Sequence, residues 1–157
     1  MKIDSKYLAK SGIIAAIYVV LCFALAPISY GVIQVRVAEA LTLLPIIFPE
    51  AVLGLGVGVV LTNLIGPFGI IDIVFGSLAT ILAAIFTYKT RKTKIAFIWP
   101  IIFNALIVGA YLPAVAGIDW AIPFSMLSVG VGEAIAVIVL GLPLLKLIKS
   151  RIENQKG

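Results

Sequence analysis

The chain has 157 residues, of which 62% are hydrophobic and 12% are charged, and its mean hydropathy is +1.22. This excess of apolar residues over what one core can bury excludes a water-soluble globular domain and indicates a membrane protein. Because the chain has no histidine and one cysteine, Cys22, we predict no metal site, no cofactor and no internal disulfide.

Six apolar segments follow one another along the chain, separated by turns that are rich in Pro, Gly or charge. They cover residues 9–28, 34–46, 49–65, 70–88, 95–113 and 121–148. The first resembles a signal peptide, but its apolar run is longer than usual, so we predict a retained helix. The second is short for a crossing, which takes about 20 residues, and a re-entrant or interfacial piece is the alternative there.

The net charge of +5 comes from basic residues in three short clusters. The clusters precede the first segment, separate the fourth from the fifth, and close the chain, a pattern typical of cytoplasmic loops and not of a nucleic-acid surface. We therefore predict an all-α membrane protein, a six-transmembrane-helix bundle with N and C termini cytoplasmic and one integral membrane domain over residues 1–157. The turns near 29–33, 66–71 and 113–120 lack Lys and Arg and form the predicted outer face.

Small residues recur at four-residue spacing in the first segment, as Gly12 with Ala16 and Ser11 with Ala15. This spacing allows two helix backbones to approach closely in lipid. For the similar pattern in "GLGVGVV" we predict packing within the subunit. For the first helix, packing within the subunit and contact with a partner subunit are both open.

Polar side chains in or near the apolar segments are the candidate site residues: Gln34, Arg36, Glu39, Asn63, Asp72, Asn104 and Glu133. An ionised side chain at the bilayer centre costs at least ~2.5 kcal/mol, so each must be paired or must face a cavity. Arg36 and Glu39 are three residues apart and can pair on one helical face. We predict instead that both lie with Gln34 at the outer end of the second helix, on the wall of a binding cavity.

The three carboxylates outnumber the single buried cation, Arg36, so at least two must be protonated, hydrogen-bonded or neutralised by a ligand. Asp72 follows "GPFGII", and capping of a helix N-terminus is the alternative to a role in the binding site for this residue. Glu133 lies mid-helix beside two glycines that make room, which marks a functional-site candidate.

Aromatic residues lie in or beside the three outer turns, at Tyr30, Phe68 and Trp120. An interfacial belt explains such residues. If the turns converge, the same rings form a lid with stacking surfaces over a planar ligand.

The stretches "ISYGVIQVRVAEALTLLP" and "GPFGIIDIVFGSLAT" resemble the QueT-type substrate-binding subunits (S components) of energy-coupling factor transporters. The resemblance implies a substrate-binding domain in the prokaryotic plasma membrane that captures a micronutrient on its outer side. It also implies docking to a transmembrane coupling subunit, joined to two cytoplasmic ATPase subunits, through an Ala-x-x-x-Ala motif on the first helix. Here Gly12 and Ala16, or Ser11 and Ala15, occupy that motif.

The implied ligand is a queuosine precursor, a 7-deazaguanine base such as the 7-aminomethyl form. Its N–H donors suit carboxylates, its carbonyl suits a donor such as Gln34, Asn104 or Arg36, and its aminomethyl cation suits another carboxylate. The chain lacks the G-x-x-x-x-G-K-[ST] phosphate loop, which fits a subunit whose partners supply the energy.

Three other functions compete with this one. The first is an S component for a different micronutrient. The second is an autonomous proton-coupled carrier that uses a buried carboxylate such as Glu133. The third is an intramembrane enzyme with Glu133 or Asp72 as acid or base. No nucleophile–base pair or metal set accompanies those carboxylates, so we predict no enzyme activity.

Overall fold

The computed structural model describes residues 3–29 and 35–155, and every regular element within them is helical. In chain order the main helices are α1 (Ser5–Ala24), α2 (Val37–Ile46), α3 (Glu50–Ile65), α4 (Gly69–Lys89), α5 (Lys94–Ala116) and α6 (Ile122–Asn154). Helices α1, α4, α5 and α6 are long and apolar enough to cross a membrane, whereas α2 and α3 are shorter. The predicted all-α class is confirmed.

Apolar side chains cover the outside of the long helices. On α1, for example, Ile13, Ile17 and Val20 are 61%, 45% and 62% exposed. An apolar surface of this extent is unfavourable in water and matches the hydrocarbon of a bilayer. The molecule is therefore a membrane protein whose polar groups must be sought in its interior.

The helix ends follow local sequence signals. Helix α1 starts at Ser5, earlier than the predicted residue 9, because the Asp4 carboxylate accepts a hydrogen bond from the Tyr7 backbone N–H at 2.8 Å. It ends at Ala24, earlier than predicted, since the chain leaves helical geometry at Leu25. Helix α5 ends at Ala116, and the next residue, Gly117, has a φ of 64°, in the left-handed region that glycine adopts without strain.

Helix α2 occupies the centre of the bundle. It is a 3₁₀-helix, and its residues from Ala38 to Pro45 are all buried. Helices α1, α3, α4 and α6 and the start of α5 pack around it. A helix that is apolar on all sides is stable only when other helices surround it, which explains how the short second segment is accommodated.

Helices α1 and α3 pack closely through small residues. A Cβ added at Gly54 would lie 2.6 Å from the Ser11 carbonyl oxygen, and one at Gly58 would lie 3.2 Å from the Ala15 carbonyl oxygen. The prediction that this glycine pattern packs within the subunit is confirmed. On α1, Ser11 and Ala15 therefore face α3, whereas Gly12 is exposed.

The basic clusters lie at one end of the bundle. Lys10 of α1 forms an ion pair with Glu50 at the start of α3, with 3.0 Å between Nζ and Oε1. Lys10 also lines one groove with Ile148 of α6, while Tyr88 near the end of α4 shares another groove with the start of α1. We call this the basic end of the bundle.

Three of the long helices contain a wider, π-helical stretch. These stretches are Asp72–Gly76 in α4, Asn104–Val108 in α5 and Ile135–Gly141 in α6. The first two begin at candidate site residues, and the third begins two residues after Glu133. Because π-helical turns shift the register of a helix and often accompany functional sites, they direct attention to this level of the bundle.

Candidate functional site

A buried polar cluster lies toward the end opposite the basic end, and we call it the outer cluster: Arg36, Asn63, Asp72, Ser77 and Tyr111. Arg36 Nη2 donates to Asn63 Oδ1 at 3.2 Å and lies 3.9 Å from Asp72 Oδ2. Asn63 Nδ2 donates to the Asp72 carbonyl oxygen at 3.0 Å and to Ser77 Oγ at 3.2 Å. The Tyr111 hydroxyl donates to Asp72 Oδ1 at 2.5 Å. These bonds join the start of α2 to α3, α4 and α5.

Gly76 makes room for this cluster. A Cβ at position 76 would lie 3.0 Å from Asn63 Nδ2 and would overlap Asp72 Oδ1 and the Tyr111 hydroxyl oxygen. Asp72 lies within α4 and its carboxylate contacts other helices. Capping of a helix N-terminus, the alternative for Asp72, therefore does not describe its interactions.

A second buried cluster lies nearer the basic end, and we call it the inner cluster: Tyr18, Glu39, Thr80, Asn104 and Glu133. Glu39 is fully buried, and its Oε1 accepts from the Tyr18 hydroxyl at 2.5 Å and from Thr80 Oγ1 at 2.9 Å. The Asn104 side chain faces the same carboxyl group and donates to the Pro100 carbonyl oxygen at 3.0 Å. Glu39 Oε2 has no hydrogen-bond donor among the described residues.

Glu133 completes the inner cluster from α6. It is 4% exposed and lies within electrostatic range of Glu39 and Arg36. Its Oε2, like the Ser125 hydroxyl two helical turns away on α6, has no hydrogen-bond partner within residues 3–29 and 35–155. Buried polar atoms are nearly always satisfied, so these open atoms require an explanation.

Arg36 and Glu39 contact different helices. Arg36 precedes α2 with an extended backbone and points to α3 and α4, whereas Glu39 lies in the first turn of α2 and points to α1 and α4. A pair that satisfies itself on one helical face is therefore not the arrangement that holds these two side chains.

The remaining site predictions fall in different places. Tyr30 and Gln34 lie outside the described residues. Phe68 packs against the apolar cluster that contains Val108 and Leu112. The Trp120 ring packs edge-on against Phe124, with 4.8 Å between ring centroids. The aromatic lid stays a prediction.

Hydroxyl groups are the part of the site that sequence reasoning missed. The side chains concerned are Tyr18, Ser77, Thr80, Tyr111 and Ser125. Tyr18 follows Ser11 and Ala15 along the buried face of α1, and this 3–4 residue spacing was the available signal. In the described part of the chain, no three Cys, Asp or Glu side chains are grouped so that they could hold a metal ion.

Comparison with known proteins gives one match. The family model described as QueT transporter matches residues 8–150, which is most of the chain. No curated protein and no solved structure matches. The family match confirms the resemblance that the two sequence stretches indicated, and it implies a small-molecule substrate in a membrane context. The chain therefore belongs to the QueT transporter family.

Proposed function

We propose that the chain is the substrate-binding membrane subunit of an energy-coupling factor transporter and that it imports a queuosine precursor, a 7-deazaguanine base. The observation that carries the proposal is the set of four buried charged side chains, in which one Arg faces three carboxyl groups. A group of this kind is expensive in a bilayer and is retained where it binds something. Membership of a transporter family makes a transported solute the natural ligand.

The two clusters offer different chemistry to such a base. In the outer cluster the carboxyl oxygen that lacks a hydrogen bond, Asp72 Oδ2, lies 3.9 Å from Arg36 Nη2. The open oxygens of Glu39 and Glu133 in the inner cluster have neither a hydrogen-bond donor nor an ion pair among the described residues. Carboxylate oxygens accept from N–H groups and ammonium cations, and these are the groups that an aminomethyl-deazaguanine presents. We therefore place the donor-rich part of the ligand at the inner cluster.

The proposed topology has six crossings, with both termini in the cytoplasm of a prokaryotic cell. The common position of the basic residues at one end supports it, because basic loops stay on the cytoplasmic side. Helix α2, with 10 residues in 3₁₀ geometry at about 2 Å per residue, extends ~20 Å, and α3 extends ~24 Å over its 16 residues. Both are shorter than the ~30 Å hydrocarbon core, and α2 is sheltered by its neighbours.

The proposed docking of a transmembrane coupling subunit concerns α1. Gly12 and Ala16 are exposed, and a Cβ at position 12 would meet no atom within 4 Å. Ser11 and Ala15 are occupied by the contact with α3. The outward pair is thus the one open to a partner helix. Ala16→Leu should reduce co-purification of the coupling and ATPase subunits, and Ala110→Leu, the same change on the exposed face of α5, should not.

Calorimetry on the purified chain tests the ligand. We expect saturable binding of 7-aminomethyl-7-deazaguanine, with guanine and riboflavin as controls that bind weakly or not at all. Binding of riboflavin instead would assign the subunit to a different micronutrient. Absence of deazaguanine binding by folded protein would overturn the ligand assignment.

The open carboxyl oxygen of Glu133 also favours a second candidate, an autonomous proton-coupled carrier. Proteoliposomes that contain the chain alone distinguish the two functions. Uptake driven by a pH gradient without ATPase subunits would support the carrier, whereas uptake that requires the complete complex and ATP would support the subunit.

A further inference from the structure

The acidic side chains in and near the inner cluster outnumber the basic side chains that could balance their charge. If all its acidic groups were ionised, Glu39, Glu133 and the nearby Asp72 would contribute three negative charges against the single positive charge of Arg36, the one buried basic residue in the described part of the chain. Arg36 forms an ion pair with Asp72, with 3.9 Å between Nη2 and Oδ2. Glu39 and Glu133 form no ion pair of their own among the described residues and share the field of Arg36 with Asp72.

Two neighbouring carboxyl groups in a buried site do not both ionise without a compensating charge, because each disfavours the charge of the other and burial disfavours both. Among the described residues, the titratable or charged groups that face this pair are Tyr18 and Cys22 from α1 and Arg36 beside α2. Asp72 and Tyr111 contact each other in the outer cluster, where Asp72 pairs with Arg36. Arg36 is the single cation among them. Charge balance at the pair therefore requires either protons or a bound cation.

The geometry at the pair is suited to a cation. Glu39 Oε1 is already engaged by two hydroxyl donors, whereas its Oε2 and Glu133 Oε2 have no donor among the described residues. Both side chains are more than nine-tenths buried. A ligand ammonium group has three N–H donors, enough to serve both oxygens at once.

We propose that ligand binding at the inner cluster is an exchange: an amino cation enters between Glu39 and Glu133, and one carboxyl proton leaves to solvent. No bond of the ligand breaks, and the buried charge stays balanced, since one positive charge enters as one proton leaves. The inference rests on the proposed function, because it takes the aminomethyl-deazaguanine as the cationic ligand. It goes further in making the binding step linked to pH.

Calorimetry in buffers of different ionisation enthalpy counts the released protons. The probes are 7-aminomethyl-7-deazaguanine, which is cationic, and 7-cyano-7-deazaguanine, which is neutral and otherwise similar. We expect release of about one proton for the cationic base and none for the neutral base. Because a proton is released, the affinity for the cationic base should rise about tenfold per pH unit between pH 5.5 and 7.5, and that for the neutral base should stay level.

The outcomes separate the inference from the proposed function. Tight binding of the cationic base without proton release, or equal release by both bases, would overturn the exchange and leave the proposed function standing. Absence of binding by either base would overturn the proposed function and the exchange with it. This comparison uses the unaltered chain, so it does not depend on the folding of a variant.

A double variant tests whether the released proton comes from Glu39 and Glu133. The Glu39→Gln, Glu133→Gln double variant has no carboxyl group left at the pair, so the extra proton released by the cationic base should disappear. Glu153→Gln, on an exposed residue near the end of α6, is the matched control and should release the same proton as the unaltered chain. A double variant that binds the cationic base and still releases a proton would overturn the assignment to this pair.

Discussion

The outer and inner clusters contain the same kinds of side chain but differ in how completely these satisfy one another. In the outer cluster, Asp72 Oδ1 accepts from Tyr111, and Asp72 Oδ2, which has no hydrogen-bond donor among the described residues, lies 3.9 Å from Arg36 Nη2. Arg36 donates in turn to Asn63. In the inner cluster, Glu39 and Glu133 each retain an oxygen with no donor among the described residues. A buried carboxylate oxygen that faces its own cation contributes to stability, whereas open buried oxygens without one indicate a place for something else to bind. Burial alone therefore does not separate the two roles.

The largest effect that tests this contrast is on the outer cluster. Arg36→Gln leaves Asp72 buried without its cation, and we expect the free energy of unfolding to fall by about 3–5 kcal/mol. Thermal unfolding in detergent measures it. Arg91→Gln removes an exposed guanidinium that stacks on Tyr88, and it should change the stability by less than about 0.5 kcal/mol. If the Arg36→Gln protein is stable but binds the ligand more weakly, the prediction is wrong and Arg36 contributes to ligand binding instead of stability.

The next effect concerns the inner cluster. Glu133→Gln keeps the shape of the side chain but removes a charge that would pair with the ligand cation. We expect the affinity for the aminomethyl base to fall about 100-fold, equivalent to ~2.7 kcal/mol, with the stability unchanged or raised. Calorimetry and thermal unfolding on the same sample measure both. If stability falls and affinity does not, the contrast between the clusters is wrong.

A matched pair of hydroxyl deletions sharpens the contrast. Tyr111→Phe removes the donor to Asp72 and should lower the stability by about 1.5 kcal/mol with little change in affinity. Tyr18→Phe removes the donor to Glu39, and because that carboxyl group belongs to the binding cluster, its effect should be seen in the affinity as well. Equal changes in stability and in affinity for the two variants would argue against separate roles for the two clusters.

The smallest effect tests how far the inner cluster extends along α6. The Ser125 hydroxyl is buried and has no partner among the described residues, so Ser125→Ala removes an unsatisfied group and should change the stability by less than about 1 kcal/mol. A fall in ligand affinity for this variant would include Ser125 in the site. An unchanged affinity would indicate that the binding site does not extend along α6 from Glu133 to Ser125.

The sequence was informative about the kinds of residue and less so about their partners. Hydrophobic runs interrupted by Pro and Gly predicted each helix with errors of up to six residues at its ends. The cost of charge in lipid singled out Arg36, Glu39, Asp72 and Glu133. The partners depend on helix register, which π-helical stretches in α4, α5 and α6 alter without a sequence rule that reveals it.

The central position of α2 was also beyond prediction from sequence. A short apolar run is compatible with a crossing, a re-entrant piece or an interfacial helix, since each buries it equally well. The choice among them is made by tertiary packing against the five other helices. Similarly, the two small-residue pairs of α1 are equivalent in sequence, and only contact with Gly54 and Gly58 distinguishes the inward pair from the outward one.

The buried 3₁₀-helix α2 also has a consequence for biogenesis. A segment of 10 residues that carries Glu39 and directly follows Arg36 is too short and too polar to partition into lipid by itself during synthesis. Its neighbours α4 and α6, which supply its packing surfaces, emerge from the ribosome later. We therefore expect α2 to reach its final depth only after α6 has been inserted, so that the ligand site is assembled as the last step of maturation.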